Sequence, residues 1–195
     1  MKTIDYYNKH AEEFTASTFE VDMEGLYQPF LVFLPESAKI LDIGCGTGRD
    51  TLAFKNKGYH VDAIDYSEEL IKKATELTGI QVKYQSFYEL SEVAVYDGIW
   101  ACASLLHCQR HRLAEVLQRL LRALKPGGVI YMSFKYGDSD REKDSREFTD
   151  LNEQQTHELL KQIDQALLLQ QWITLDKRPD RTEEWINILI KKEQA

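Results

Sequence analysis

The 195 residues are 43% hydrophobic and carry 32 acidic against 24 basic side chains, a formal charge of -8, so the chain can bury one core and reads as a single domain. The acidic excess is spread along the chain with no basic arm or stripe, which argues against DNA, RNA or an anionic membrane surface as partner. Cys45, Cys102 and Cys108 have neither CxxC nor disulfide-framework spacing and read as free thiols; with no apolar leader core and no run long enough to span a bilayer, a cytoplasmic location is expected.

Residues 3–34 place Tyr7, Phe14, Tyr27, Phe30, Leu31 and Leu34 at irregular helical spacing and stop at Pro35, which predicts two helices. From Lys39 onward short apolar runs alternate with amphipathic stretches, the pattern of repeated βαβ units on a mostly parallel sheet. Strands are predicted at 40–43, 61–64, 80–84, 98–102 and 129–134, and helices at 49–57, 68–78 and 112–124, the last stopped by Pro126-Gly127-Gly128. A charged stretch over 138–147 reads as a solvated loop, with Tyr136, Arg146 and Phe148 available to form a lid. A helix over 152–169 opens with Asp150 as its cap. Two strands, 172–175 and 185–190, follow with only a turn between them, so one must run antiparallel to the rest. The predicted organisation is a helical cap at 1–38, a ligand-binding core at 39–135, and a lid loop, helix and two strands at 136–195.

The strongest chemical signal is Ile40-Leu41-Asp42-Ile43-Gly44-Cys45-Gly46-Thr47-Gly48-Arg49-Asp50, a strand that runs through alternating glycines into a helix. Such glycines let backbone approach a ligand closely, and the next helix offers its first N–H groups. The spacing fails GxGxxG, because the sixth position is Arg49 counted from Gly44 and Thr51 counted from Gly46; no GxxxxGK[ST] is present either. Dinucleotides and nucleoside triphosphates are thereby disfavoured. Asp65, at the end of the second strand, stands beside the glycine loop in a doubly wound sheet and can accept hydrogen bonds from ribose hydroxyls, while Ser67 caps the helix that follows.

Asp42-Ile43-Gly44-Cys45-Gly46-Thr47-Gly48 followed by Asp65 resembles the first two motifs of the class I S-adenosylmethionine (SAM)-dependent methyltransferases. The segment from Tyr96 to His107 is similar to their fourth motif, and Leu124-Lys125-Pro126-Gly127-Gly128-Val129 to the segment before their fifth strand, so the likeness covers about residues 38–135. It implies a Rossmann-like α/β fold with a seven-stranded, mostly parallel sheet whose last strand is antiparallel. It further implies that Gly44, Cys45 and Gly46 lie near the methionine moiety, with Asp42 toward its amino group. Asp65 would meet the ribose, Tyr66 and Phe87 the adenine, and Ala101 and Cys102 the sulfonium. Ser86 stands where many relatives carry an acidic residue reaching the adenine amine. Three further segments, from Trp100 to His107, Ser133 to Gly137 and Asp176 to Arg181, resemble a narrower bacterial group of small-molecule methyltransferases labelled tellurite-resistance-related.

The activity this implies is methyl transfer from SAM to a small molecule such as a thiol, carboxylate, phenol or metalloid oxyanion. The alternative is a SAM-binding regulatory or scaffold protein without turnover. A nucleic-acid methyltransferase is disfavoured by charge and by Ala101-Cys102-Ala103-Ser104 standing where (D/N/S)PP(Y/F) would be. His107 is the candidate general base, or it fixes a loop. Together with Cys102 and Cys108 it lacks the fourth ligand of a structural zinc site, so no metal is expected. Tyr7 and Phe14 either pack an N-terminal helix or cover the cofactor. Arg178, Arg181 and Trp185 either bind an anionic substrate or form surface ion pairs.

Overall fold

The computed structural model describes residues 2–194. Seven strands build the main sheet: β1 (Lys39–Ile43), β2 (His60–Asp65), β3 (Lys83–Tyr84), β4 (Tyr96–Ala101), β5 (Leu124–Lys135), β8 (Ala166–Leu175) and β9 (Glu184–Lys192), in the spatial order β3-β2-β1-β4-β5-β9-β8. The first five pair in parallel, and β9 inserts antiparallel between β5 and β8. The expected α/β architecture with its last strand reversed is present. A short turn forces β9 to run back along β8, and its apolar run Ile186 to Ile190 is buried on both faces between its neighbours.

Helices cover both faces. On one, α6 (Leu113–Ala123) lays Leu113, Val116, Leu117, Leu120 and Leu121 on the sheet. On the other, α3 (Glu24–Leu31) and α4 (Arg49–Asn56) enclose Trp100, which stacks on Tyr131 at 3.9 Å. Gly98 makes that approach possible, since a Cβ there would lie 2.7 Å from the Phe30 ring. The helix α5 (Glu68–Thr78) is capped as expected by Ser67, whose Oγ accepts from the Leu70 N–H. Among the described residues no helix is long and apolar enough to cross a membrane.

The details depart from the sequence reading where packing overrides local preference. The N-terminal segment holds three helices rather than two, because α1 (Lys2–Lys9) and α2 (Ala11–Thr18) break at His10 before α3. The third strand keeps only Lys83 and Tyr84, an edge that pairs with β2 alone. The helix expected over 152–169 is α7 (Glu153–Leu160), capped by Asn152 Oδ1 rather than Asp150, whose carboxylate is engaged by Arg141. Gln165, at φ +65°, then turns the chain into β8, so leucines with good helix propensity become strand. Leu124 likewise leaves α6 and opens β5, which carries Pro126-Gly127-Gly128 inside it. The charged stretch expected as a loop is a hairpin of β6 (Asp140–Lys143) and β7 (Arg146–Thr149), closed by Asp144 and Ser145, both at positive φ.

Candidate active site

The glycine loop is built where β1 hands over to α4. Gly44, Gly46 and Gly48 have φ of +64°, +57° and +82°, a left-handed region that other residues enter only with strain. At Gly44 a Cβ would also sit 2.5 Å from the Ser104 Cβ. The loop is tied to β2: Gly44 and Cys45 N–H groups donate to the Ile64 carbonyl, and the Gly46 N–H donates to Asp65 Oδ2 at 2.8 Å. Asp65 also accepts from the Tyr66 and Ser67 N–H groups at 2.8 and 2.9 Å. Burial pushes its carboxyl up while these three donors oppose the shift.

A cavity of about 430 Å³ opens above the loop. Of the residues singled out by sequence, Tyr7, Asp42, Gly44, Cys45, Gly46, Cys102 and His107 line it. Asp65, Tyr66, Ser86, Phe87 and Ala101 are not part of that lining; the first four gather round the ends of β2 and β3, and Ala101 is buried in β4. Tyr66 stacks on Tyr84 at 4.8 Å, and Ser86 caps the turn Phe87–Glu89, its Oγ accepting from the Tyr88 N–H.

Tyr7 and Phe14 cover the cavity rather than serve an internal core. The Phe14 ring lies over the glycine loop, 3.2 Å from where a Gly46 Cβ would be, and packs edge-on against Tyr7 at 5.3 Å. The α1–α2 segment is fastened on both sides. Ser67 Oγ donates to Asn8 Oδ1 and Glu12 pairs with Lys73 on α5, while the Glu147 N–H of the hairpin donates to Thr3 Oγ1.

His107 closes this cover from below. A carbonyl can only accept, so the 2.7 Å contact with the Glu147 carbonyl places the proton on His107 Nδ1, and the neutral ring then accepts from the Tyr7 hydroxyl at Nε2 over 2.9 Å. Burial pushes the imidazolium form down to about 4, and the Arg146 and Lys135 charges act in the same direction. Burial also pushes the Cys102 thiol up to about 12 and Cys108 up to about 11, so both stay protonated and neither is a ready nucleophile.

Beneath the loop lies an ionic cluster that sequence reasoning missed. Asp50 accepts from the Tyr27 hydroxyl at 2.7 Å, Trp100 Nε1 at 2.8 Å and Arg49 Nε at 2.7 Å. Burial raises its carboxyl, but the Arg49 charge and these donors win and hold it below the usual range. Among the described residues the neighbouring Asp42 has only the Thr51 hydroxyl as side-chain donor, at 2.6 Å, and burial together with the Asp50 charge pushes it up. The only sequence signal for this cluster was that Arg49-Asp50 opens a helix at the glycine loop, a place where polar residues are ordinarily solvated.

This donor set fits the methionine end of SAM. Among the described residues Asp42 is a buried carboxyl with no ion-pair partner, which an α-ammonium group would supply, and Ser104 Oγ is a buried hydroxyl without a hydrogen-bond partner beside Gly44. The remaining wall comes from the ends of β5 (Ser133, Lys135), the β6–β7 hairpin (Lys143, Arg146, Phe148) and the β8–β9 turn. Among the described residues there is no cluster of three His, Cys, Asp or Glu side chains that could hold a metal ion.

Residues 40–128 match the family described as methyltransferase domain. The chain is 38% identical over 103 residues to a ubiquinone biosynthesis O-methyltransferase of Xylella fastidiosa, a stretch covering 49% of this chain and 41% of that protein. It is 34% identical over 106 residues to a trans-aconitate 2-methyltransferase of Variovorax paradoxus, covering 50% and 38%. The matched stretches thus span less than half the length of these relatives. Among solved structures, the 1,6-didemethyltoxoflavin-N1-methyltransferase of Burkholderia thailandensis, which holds its substrate and S-adenosylhomocysteine, superposes with a TM-score of 0.79 at 22% identity, over 98% of this chain and 85% of that one. Residues 40–128 thus read as a methyltransferase domain, and the chain shares the Rossmann-like α/β fold of that solved methyltransferase.

Proposed function

We propose that the protein is a SAM-dependent methyltransferase whose acceptor is a small molecule enclosed between the glycine loop and the α1–α2 cover. The observation that carries this reading is the single cavity wall that runs from Gly44 and Asp42 through Cys102 to His107 under Tyr7 and Phe14. When bound, SAM supplies an electrophilic methyl group on a sulfonium. Asp42 holds the α-ammonium group, the loop glycines let backbone approach the methionine chain, and Asp65 accepts from the ribose hydroxyls. Tyr66, Ser86 and Phe87 lie on the adenine side, and Ala101 and Cys102 border the reacting centre. Tyr7 and Phe14 exclude water.

The protein's own chemical contribution is placement plus a proton acceptor. His107 is neutral, its tautomer is fixed by the Glu147 carbonyl, and its free lone pair at Nε2 is held by Tyr7. It takes the proton that an acceptor atom releases on methylation, directly or across the Tyr7 hydroxyl. Because burial pushes its pKa down to about 4, below the ordinary 6.5, the ring stays in its neutral, proton-accepting form throughout pH 6–8, and that form is lost only as pH falls toward 4. His107→Ala is expected to lower kcat about a hundredfold while S-adenosylhomocysteine affinity stays nearly unchanged. A kcat titrating near 6.5 in the wild type and flat in the variant would instead require an exposed, ordinary imidazole.

The direct test is labelled SAM with the purified protein and either a desalted metabolite pool or total RNA, DNA and protein. Label is expected in the metabolites, and label mainly in polymers would overturn the reading. Calorimetry completes it: SAM binds and NAD does not, and Asp65→Ala weakens SAM by about 1–3 kcal/mol, the scale of lost hydrogen bonds to a charged group. SAM bound without any transfer would point to a regulatory or scaffold role. The resemblance to the tellurite-resistance-related group keeps a metalloid oxyanion among the acceptors to include, and the solvated acidic surface suits a cytoplasmic enzyme.

A further inference from the structure

In a chain of net charge -8, the cavity wall facing the acceptor end runs against the overall balance. It presents Lys135, Lys143, Arg146, Lys177, Arg178 and Arg181, while the lining's carboxylates are Glu13 and Asp176 together with Asp42 and Asp50 at the glycine-loop end. Some of this charge is already answered. Arg178 forks onto Asp176 at 2.9 and 2.7 Å, and Lys135 pairs with Glu183 at 2.6 Å. The two cations of the hairpin are not answered in this way.

Lys143 and Arg146 stand directly opposite each other in the β6–β7 register. Like charges facing across a strand pair repel, and both belong to the cavity lining. Among the described residues Lys143 has no ion-pair partner, and Arg146 pairs only with Asp144, at 3.4 Å, while its charge also acts on the nearby Tyr7 hydroxyl. The Arg146 guanidinium lies over the Tyr6 ring, 4.1 Å from its centroid, and 5.2 Å from that of Phe148, so these rings brace the cation before any ligand arrives. Its Nε is buried and has no hydrogen-bond acceptor. A guanidinium that lines the cavity, is braced by aromatic rings and stands beside a second cation is the arrangement that a planar oxyanion completes.

We propose that the acceptor is a small organic acid whose carboxylate is bound by Arg146, with Lys143 as the second positive group. This rests on the methyltransferase reading and specifies its substrate class. Arg146 lies 5.8 Å from the Tyr7 ring, whose hydroxyl meets His107, so a carboxylate gripped there brings the rest of the molecule beside those two side chains. The α1 residue Tyr6 is part of the grip, which makes closure of the cover and recognition of the anion one event.

The experiment uses the whole protein and a desalted metabolite extract split on an anion-exchange resin into retained and unretained fractions. With labelled SAM, label is expected mainly in the retained acids. Arg146→Gln is expected to lower incorporation at least thirtyfold and Arg146→Lys less, since a point charge replaces the fork. Lys143→Gln, at an exposed position whose side chain has no ion-pair partner among the described residues, is expected to lower it about threefold without affecting folding. Equilibrium dialysis of the S-adenosylhomocysteine-loaded protein against the unfractionated extract gives a readout without turnover: species enriched by the wild type over Arg146→Gln are expected to carry carboxylates. Label confined to the unretained fraction, or no difference between wild type and Arg146→Gln in either readout, overturns this proposal alone. S-adenosylhomocysteine that fails to bind, or binds with no label from either fraction, removes the methyltransferase reading and this one with it.

Discussion

Asp50→Ala is expected to destabilise the protein by about 3–5 kcal/mol, the usual cost of removing one partner from a buried ion pair. The carboxylate is buried, and its loss strands three donors at once: the Arg49 guanidinium, the Tyr27 hydroxyl and Trp100 Nε1. Those side chains come from α4, α3 and β4, so the damage is not confined to one element. Arg49 also reaches the Thr18 carbonyl at 3.3 Å, which ties the cluster to the end of α2 and hence to the cover. Urea unfolding monitored by tryptophan fluorescence measures the effect. Asp50→Asn, which keeps the shape and one acceptor oxygen, is expected to fall between wild type and Asp50→Ala. A loss below about 1 kcal/mol for Asp50→Ala would mean that water or a rearranged Asp42 replaces the carboxylate.

Gly44→Ala is expected to cost about 2–4 kcal/mol of stability, the sum of a left-handed backbone for a non-glycine residue and an overpacked contact. The new Cβ would lie 2.5 Å from the Ser104 Cβ, with backbone on both sides and no flexible chain end to yield. Because the same residue begins the cofactor loop, S-adenosylhomocysteine affinity is expected to fall by more than tenfold in calorimetry. Gly46→Ala is a milder control: its Cβ meets only the Phe14 ring at 3.2 Å, so it pays the backbone strain and loosens the cover. The pair Gly44→Ala with Ser104→Gly separates the two costs, since it relieves the contact and leaves the strain. If Gly44→Ala binds the cofactor like the wild type, the loop is not the cradle.

Much of the site was legible in the order of residues because its signals are local. Glycines at 44, 46 and 48 after an apolar strand announce a backbone that must turn left-handed, and all three do. Asp65 follows from standing at the end of the neighbouring strand, and the structure ties it to the Gly46 N–H. The cationic wall of the cavity was harder to see. Lys143 and Arg146 lie in a stretch whose charge predicts solvent, because a hairpin with one buried aromatic, Phe148, lacks the apolar alternation that marks a strand. The Asp144-Ser145 turn was the available signal, and it is a weak one without glycine.

By itself the sequence determined the parallel α/β core, the reversal of the last strand, the glycine loop and the placing of His107 after the fourth strand, since each depends on residue spacing along a few consecutive positions. Only the tertiary structure decided that α1 and α2 lie across that loop, that Tyr7 meets His107 from 100 residues away, and that Asp50 anchors three elements. It also decided that leucines 167–169 are strand, because pairing with β9 outweighs a helix propensity worth a few tenths of a kcal/mol per residue. Contacts between segments distant in the chain are set by which buried polar groups can be satisfied together, and spacing along the chain carries no record of that.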